Sequence, residues 1–80
     1  MKKIEYNSNR NIIHNQLKMA RNRVNMSQSE LAAKMQVLNV NIDQQMISKI
    51  EKNMRIVTDY ELACFCRILN VSAKDMLQDL

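Results

Sequence analysis

The eighty-residue sequence contains no glycine and no proline. Every change of chain direction must therefore be made by residues that carry both a Cβ and a backbone N–H. That requirement falls on asparagine, whose short polar side chain tolerates the left-handed conformation that usually ends a helix. Asn25, Asn39, Asn53 and Asn70 stand where four successive helices would stop. Four start signals interleave with them, each an N-cap residue with a hydrophobic staple from the preceding residue to the fourth helical position. They are Met26-Ser27 with Leu31, Ile42-Asp43 with Ile47, Val57-Thr58 with Leu62, and Val71-Ser72 with Met76. Ser27 to Glu30 and Thr58 to Glu61 read as capping boxes, and Ser72 to Asp75 is a weaker relative.

Helical periodicity dominates and no segment alternates as a strand between turn residues, so the expected fold is all-α, a compact five-helix bundle. The first helix is expected from Ser8 or Asn9 to about Arg23, with residues 1–8 a flexible arm and 9–80 a single domain. Leu31, Met35, Leu38 and Ile42 keep helical phase, which carries the second helix to about Leu38 and puts the break at 39–42. The expected core is Leu17, Ala20 and Val24 from the first helix, and Leu31, Met35 and Leu38 from the second. Ile47 and Ile50 follow from the third, and Leu62, Phe65, Cys66 and Leu69 from the fourth. Most of the seven methionines read as core filler, with Met46 and Met54 exposed.

A chain this short buries a modest core and offers no enzyme-sized cleft. It holds no Cys-His or Ser-His pair and no phosphate-cradling glycine loop, so it reads as a non-enzyme without a cofactor. Cys64 and Cys66, two apart on a helix, point to different sides and suit neither a disulfide nor a shared metal, and His14 is the sole histidine. No apolar run is long enough for a membrane span, and "MKKIEYNSN" lacks the apolar stretch of a secretory signal, which points to the cytosol. The net charge of +4 is unevenly spread: residues 10–55 carry eight Lys/Arg against three Asp/Glu, and residues 56–80 carry two against four. A basic front with a mildly acidic back points to a polyanion, nucleic acid foremost.

On the helix that opens with Asp43, one side carries Ile47, Ile50 and Glu51, and the other Gln44, Gln45, Ser48, Lys49 and Lys52. Glutamine amides can pair bidentately with adenine, and an ammonium suits guanine or phosphate. On this helix alone, the polar face reads equally well as a solvated surface. Its surroundings favour the first reading. Ser27-Gln28-Ser29 opens the preceding helix as a phosphate anchor, Arg55 follows in the next loop, and Lys52 closes the polar face. Two phosphate clamps flanking one polar helix is how a helix-turn-helix docks.

With those residues in view, "LKMARNRVNMSQSELAAKMQ", "DQQMISKIEKN" and "TDYELACFCRILNVSAKDML" resemble the Cro/C1-type, Xre-like helix-turn-helix domains of phage repressors and bacterial regulators. The resemblance covers about Ile12 to Leu77. It implies that Gln28 contacts phosphate, that Gln44, Gln45 and Lys49 reach base edges, that Met46 touches a thymine methyl, and that Asn53 to Arg55 meet the DNA backbone. Ser48 joins the base-reading set from the helical wheel. The resemblance further implies an Arg21–Glu51 ion pair, and Glu51 needs such a partner because it lies on the inward side beside Ile47 and Ile50. The chain departs from the family in a longer connection between the second and third helices. Family members commonly dimerise on two-fold symmetric operators, and Val71, Met76, Leu77 and Leu80 supply an apolar face for a homodimer. The implied protein is a cytoplasmic, nucleoid-associated repressor of bacterial or phage origin that binds double-stranded DNA. The alternative is an antitoxin-like module that holds a protein partner.

Overall fold

The computed structural model describes residues 5–78. Five helices follow in order: α1 His14–Arg23, α2 Gln28–Val37, α3 Gln44–Glu51, α4 Asp59–Leu69 and α5 Ala73–Met76. Among the described residues the only extended pairing is an isolated bridge between Tyr6 and Asn9. α2 packs on α3 and α4, α1 on α3, α4 and α5, and α4 on α5.

Each of α2 to α5 begins at the expected cap. Ser27, Asp43, Thr58 and Ser72 accept from the backbone N–H three residues on, and Ser27–Glu30 and Thr58–Glu61 close as reciprocal capping boxes. The asparagines end the helices as expected, with φ of 55° at Asn25, 65° at Asn39, 61° at Asn53 and 54° at Asn70. In each case the residue after the asparagine donates back to a carbonyl five positions earlier: Met26 to Arg21, Val40 to Met35, Met54 to Lys49 and Val71 to Cys66. These are Schellman closures made with asparagine in the position glycine normally takes.

The α2 closure also explains the long connection to α3. Val40 and Ile42 are 5% and 1% exposed, and the Gln36 side chain donates to the Ile42 carbonyl at 3.0 Å. The added residues therefore form an ordered segment that places two more apolar side chains in the core beside Met35.

Three expectations are corrected. The first helix starts at His14, not near Ser8, because Asn7 and Ser8 take positive φ while Tyr6 and Asn9 exchange both backbone hydrogen bonds. That is a two-residue hairpin turn with both central residues left-handed. Val24 is 46% exposed rather than in the core. As the α1 C-cap it sits where the chain leaves helical phase. Met46 is half-buried and packed on the core, whereas Met54 is exposed as expected. The core itself is Ile13, Leu17, Ala20, Leu31, Ala32, Met35, Val40, Ile42, Ile47, Ile50, Phe65, Leu69 and Met76. Cys64 and Cys66 are free thiols, and burial pushes the Cys66 thiol up, which keeps it protonated.

Glu61, 3% exposed, is a buried acid of the fold. It accepts from the Thr58 amide at 3.0 Å to complete its capping box. It also receives both terminal nitrogens of Arg55, each at 3.0 Å. Burial by itself raises its pKa, but the hydrogen bonds from Arg55 and Thr58 and the Arg55 charge outweigh that and hold the carboxyl below its ordinary value of 4.5. A depressed carboxyl stabilises the fold fully above its unfolded pKa, and the contribution is lost as pH falls through the folded value. Urea midpoints should therefore decline below pH 4.5, less steeply in Glu61→Gln. Arg55→Ala, which strands the buried carboxylate, should cost roughly 3 kcal/mol at neutral pH.

Candidate nucleic-acid interface

α3 is held with one side in the core, since Ile47 and Ile50 are fully buried. Asp43 Oδ1 accepts from the Met46 amide at 2.8 Å, which sets where the helix begins. Gln44, Gln45, Lys49 and Lys52 are exposed along the opposite side, and Ser48 is half-buried.

A chain of hydrogen bonds runs from the interior to this face. Arg21 Nε and Nη2 donate to Glu51 Oε2 and Oε1 at 2.8 and 3.0 Å, joining α1 to α3. The side chains are 11% and 4% exposed. Arg21 Nη1 also donates to the Met26 carbonyl at 2.8 Å, which ties the α1–α2 turn to the same guanidinium. The hydrogen bond to Glu51 raises the already high pKa of Arg21, so the guanidinium stays charged. Gln28 Nε2 then donates to Glu51 Oε1 at 3.1 Å, and Gln44 Nε2 donates to Gln28 Oε1 at 3.0 Å. A carboxylate only accepts, so Gln28 must turn its amino group to Glu51 and its oxygen to Gln44. Gln44 in turn faces Gln28 with its amino group. It keeps its own oxygen and one N–H for an outside partner, a donor–acceptor pair.

The far end of α3 is clamped by Asn53 together with Asn9, Arg10 and Asn11, three residues that the sequence pattern did not single out. Asn11, 8% exposed, donates to the Ile50 carbonyl at 3.0 Å and the Arg55 carbonyl at 2.9 Å, and its Oδ1 accepts from the Ile13 amide at 3.1 Å. Asn53 Oδ1 accepts from the backbone amides of Arg10 and Asn11 at 2.9 and 3.4 Å, and its Nδ2 donates to Asn9 at 2.8 Å. Arg10 Nη1 donates to the Met54 carbonyl at 3.0 Å, with Glu5 at 3.8 Å. The only sequence trace of the residue 9–11 side of this clamp is the density of asparagine in "NSNRN".

Two residues expected to face a polyanion are thus turned inward. The Asn53 side chain spends its oxygen and an N–H on residues 9–11, and the Arg55 guanidinium lies on Glu61. Arg10, exposed beside Met54 with Glu5 at 3.8 Å, and Lys52, the exposed C-cap of α3, are the cations that this end of the helix presents. Ser27 is exposed at the start of α2, with its hydroxyl oxygen 3.0 Å from the Glu30 amide. Of the residues expected at a dimer contact, Met76 is corrected: it is fully buried in its own monomer, where it fills the core between α1 and α5. Val71 and Leu77 are half-buried, and Leu80 lies outside the described residues. Leu77 lines a groove of about 510 Å³ with Ile12, Val57 and Leu62.

A family model described as helix-turn-helix, of the Cro/C1 type, matches residues 17–76, three quarters of the chain. The chain belongs to the Cro/C1-type helix-turn-helix family. No curated protein and no solved structure matches it. The family is one of DNA-binding regulators, and the matched span takes in α2 and α3 together with the Gln28–Gln44 link. No helix among the described residues is long and apolar enough to cross a membrane.

The Arg21–Glu51 pair holds this helix-turn-helix together because Glu51 is nearly sealed from solvent. Glu51→Ala leaves Arg21 without its acid and should lower stability by roughly 3 kcal/mol in urea unfolding. A loss below about 0.5 kcal/mol is what a solvent-screened pair gives, and would show that the pair does not hold α1 to α3.

Proposed function

We propose that the protein is a sequence-specific transcriptional regulator, a repressor, that inserts α3 into the major groove of double-stranded DNA. The observation that carries this reading is the Glu51–Gln28–Gln44 chain. It orients a glutamine amide on an exposed helix face flanked by Gln45, Ser48 and Lys49. The free oxygen and N–H of Gln44 match the N6 donor and N7 acceptor of adenine, whereas guanine offers two acceptors there. Gln45 and Lys49 read neighbouring bases, and the half-buried Met46 meets a thymine methyl only at the edge of the face. Ser27, the second N–H of Gln28, Lys52 and Arg10 contact phosphates, and Asn53 takes part through its backbone. Arg55 serves the fold. The protein works in the cytoplasm on nucleoid DNA, without a cofactor.

Selection of bound sequences from a random duplex pool should return a consensus with adenine at one position. Gln44→Ala and Gln45→Ala should each cost about 1 to 3 kcal/mol on that site and little on random DNA. Arg10→Ala and Lys52→Ala should weaken binding to all sequences and reduce the salt slope by roughly one unit each. A module built to hold protein would show no salt-steep duplex affinity.

The regulator acts as a homodimer through the α5 face, with Val71, Leu77 and Leu80 at the contact and the groove beside Leu77 receiving the second copy. A palindromic consensus and dimer mass by light scattering on DNA are the expected results. Monomer alone at high micromolar concentration, free and on DNA, removes the dimer.

A further inference from the structure

A second surface lies away from α3, between the carboxy-terminal ends of α2 and α4. Lys34 and Val37 from α2, its C-cap Leu38, and Arg67 and Ile68 from α4 line a shallow groove of about 330 Å³. Val37 is 80% exposed, a large apolar side chain left in water. Leu38 and Ile68 beside it are half-buried, and Ile68 packs on the core, so the floor of the groove is anchored from α4.

Helix geometry separates this groove from the α3 face. Val37 follows Gln28 by nine residues, about two and a half turns, which is half a revolution around α2 and roughly 13 Å along it. α2 therefore carries Gln28, bonded to α3, on one side and Val37 on the other. The groove can be occupied while α3 is engaged elsewhere.

Its charge is one-sided. No carboxylate lines it, and among the described residues neither Lys34 nor Arg67 belongs to an ion pair. Glu30, one turn before Lys34, feels the lysine's charge, but its stronger contacts are in the capping box, where its Oε1 accepts from the Ser27 amide at 3.0 Å. The positions three and four residues either side of Arg67 hold Ala63, Cys64, Asn70 and Val71, none of them acidic. Two cations outside any ion pair, bracketing an exposed valine on an apolar floor, complement a ligand that is acidic and carries an apolar anchor. A polyanion such as DNA would use the cations and leave Val37 and Ile68 in water.

We propose that this groove docks an acidic amphipathic segment of a partner protein. An apolar side chain seats on Val37, Leu38 and Ile68, and flanking carboxylates pair with Lys34 and Arg67. Such segments bind as helices whose apolar face lies in a hydrophobic groove, and the depletion of carboxylates here rejects basic ones.

The test is a titration of the ¹⁵N-labelled full chain, followed by NMR, with a synthetic helix-forming peptide that has leucines on one face flanked by glutamates. Amide shifts centred on residues 34, 37, 38, 67 and 68 are expected. Val37→Asp and Arg67→Glu should each weaken binding about tenfold or more, and both sites are exposed enough for the rest of the spectrum to stay unchanged. The same peptide with glutamines for glutamates should bind correspondingly more weakly. The proposal is overturned if no shifts appear at millimolar peptide, or if they centre on Gln44 to Lys52. It is overturned equally if Val37→Asp binds as the parent chain does, or if random duplex DNA moves the groove amides as strongly as the peptide.

Discussion

The bidentate pair of Arg21 and Glu51 is the contact on which the arrangement of the first three helices depends. A carboxylate this deeply covered cannot be left without a cation. Arg21 supplies it from α1, together with a bond to the chain just before α2. Because Glu51 is also the last residue of α3, the pair sets the depth and rotation of that helix against its neighbours. Its remaining acceptor capacity then orients Gln28 and, through it, Gln44. One buried acid thus does both the structural work of joining helices and the chemical work of deciding which way two surface amides face.

The other end of α3 is secured by different means. Asn53 must be left-handed to close the helix, and that conformation throws its side chain toward residues 9–11, where its oxygen and an N–H find partners. Asn11 answers from the opposite strand of the contact by capping the Ile50 carbonyl. Just beyond, Arg55 and Glu61 join the loop to the start of α4. α3 is only eight residues long, too short to be stable by itself. It is presented as a rigid element because polar contacts hold both ends and Ile47 and Ile50 hold its back.

Much of the fold could be read from the chain because its signals are local. A cap and its staple span a few residues, and a left-handed asparagine satisfies carbonyls of the turn just completed. Ser27, Asp43, Thr58, Ser72 and the four terminating asparagines therefore act where the pattern places them. The reading fails where local signals are absent or compete. Residues 8–13 carry helix-compatible side chains, yet Asn7 and Ser8 form a tight turn instead. Met76 looks like a surface hydrophobe on a four-residue helix but is covered by α1. Arg55 looks like a free loop cation but meets an acid six residues on, in a helix that folds back toward it.

The sequence by itself determined the number of helices, the starts of α2 to α5, the stops of the first four, the Cro/C1-type pattern and the polar side of α3, since each depends on contacts within one or two turns of chain. Only the tertiary structure decided what those side chains face. It sealed Glu51 and Glu61 under their arginines, brought Asn11 across to the end of α3, and buried Val40 and Ile42 in what sequence shows as a lengthened connection. It left Val37 in water between two cations. These outcomes depend on which helices cross and how closely, and that is set by packing the whole apolar core at once, which no single segment encodes.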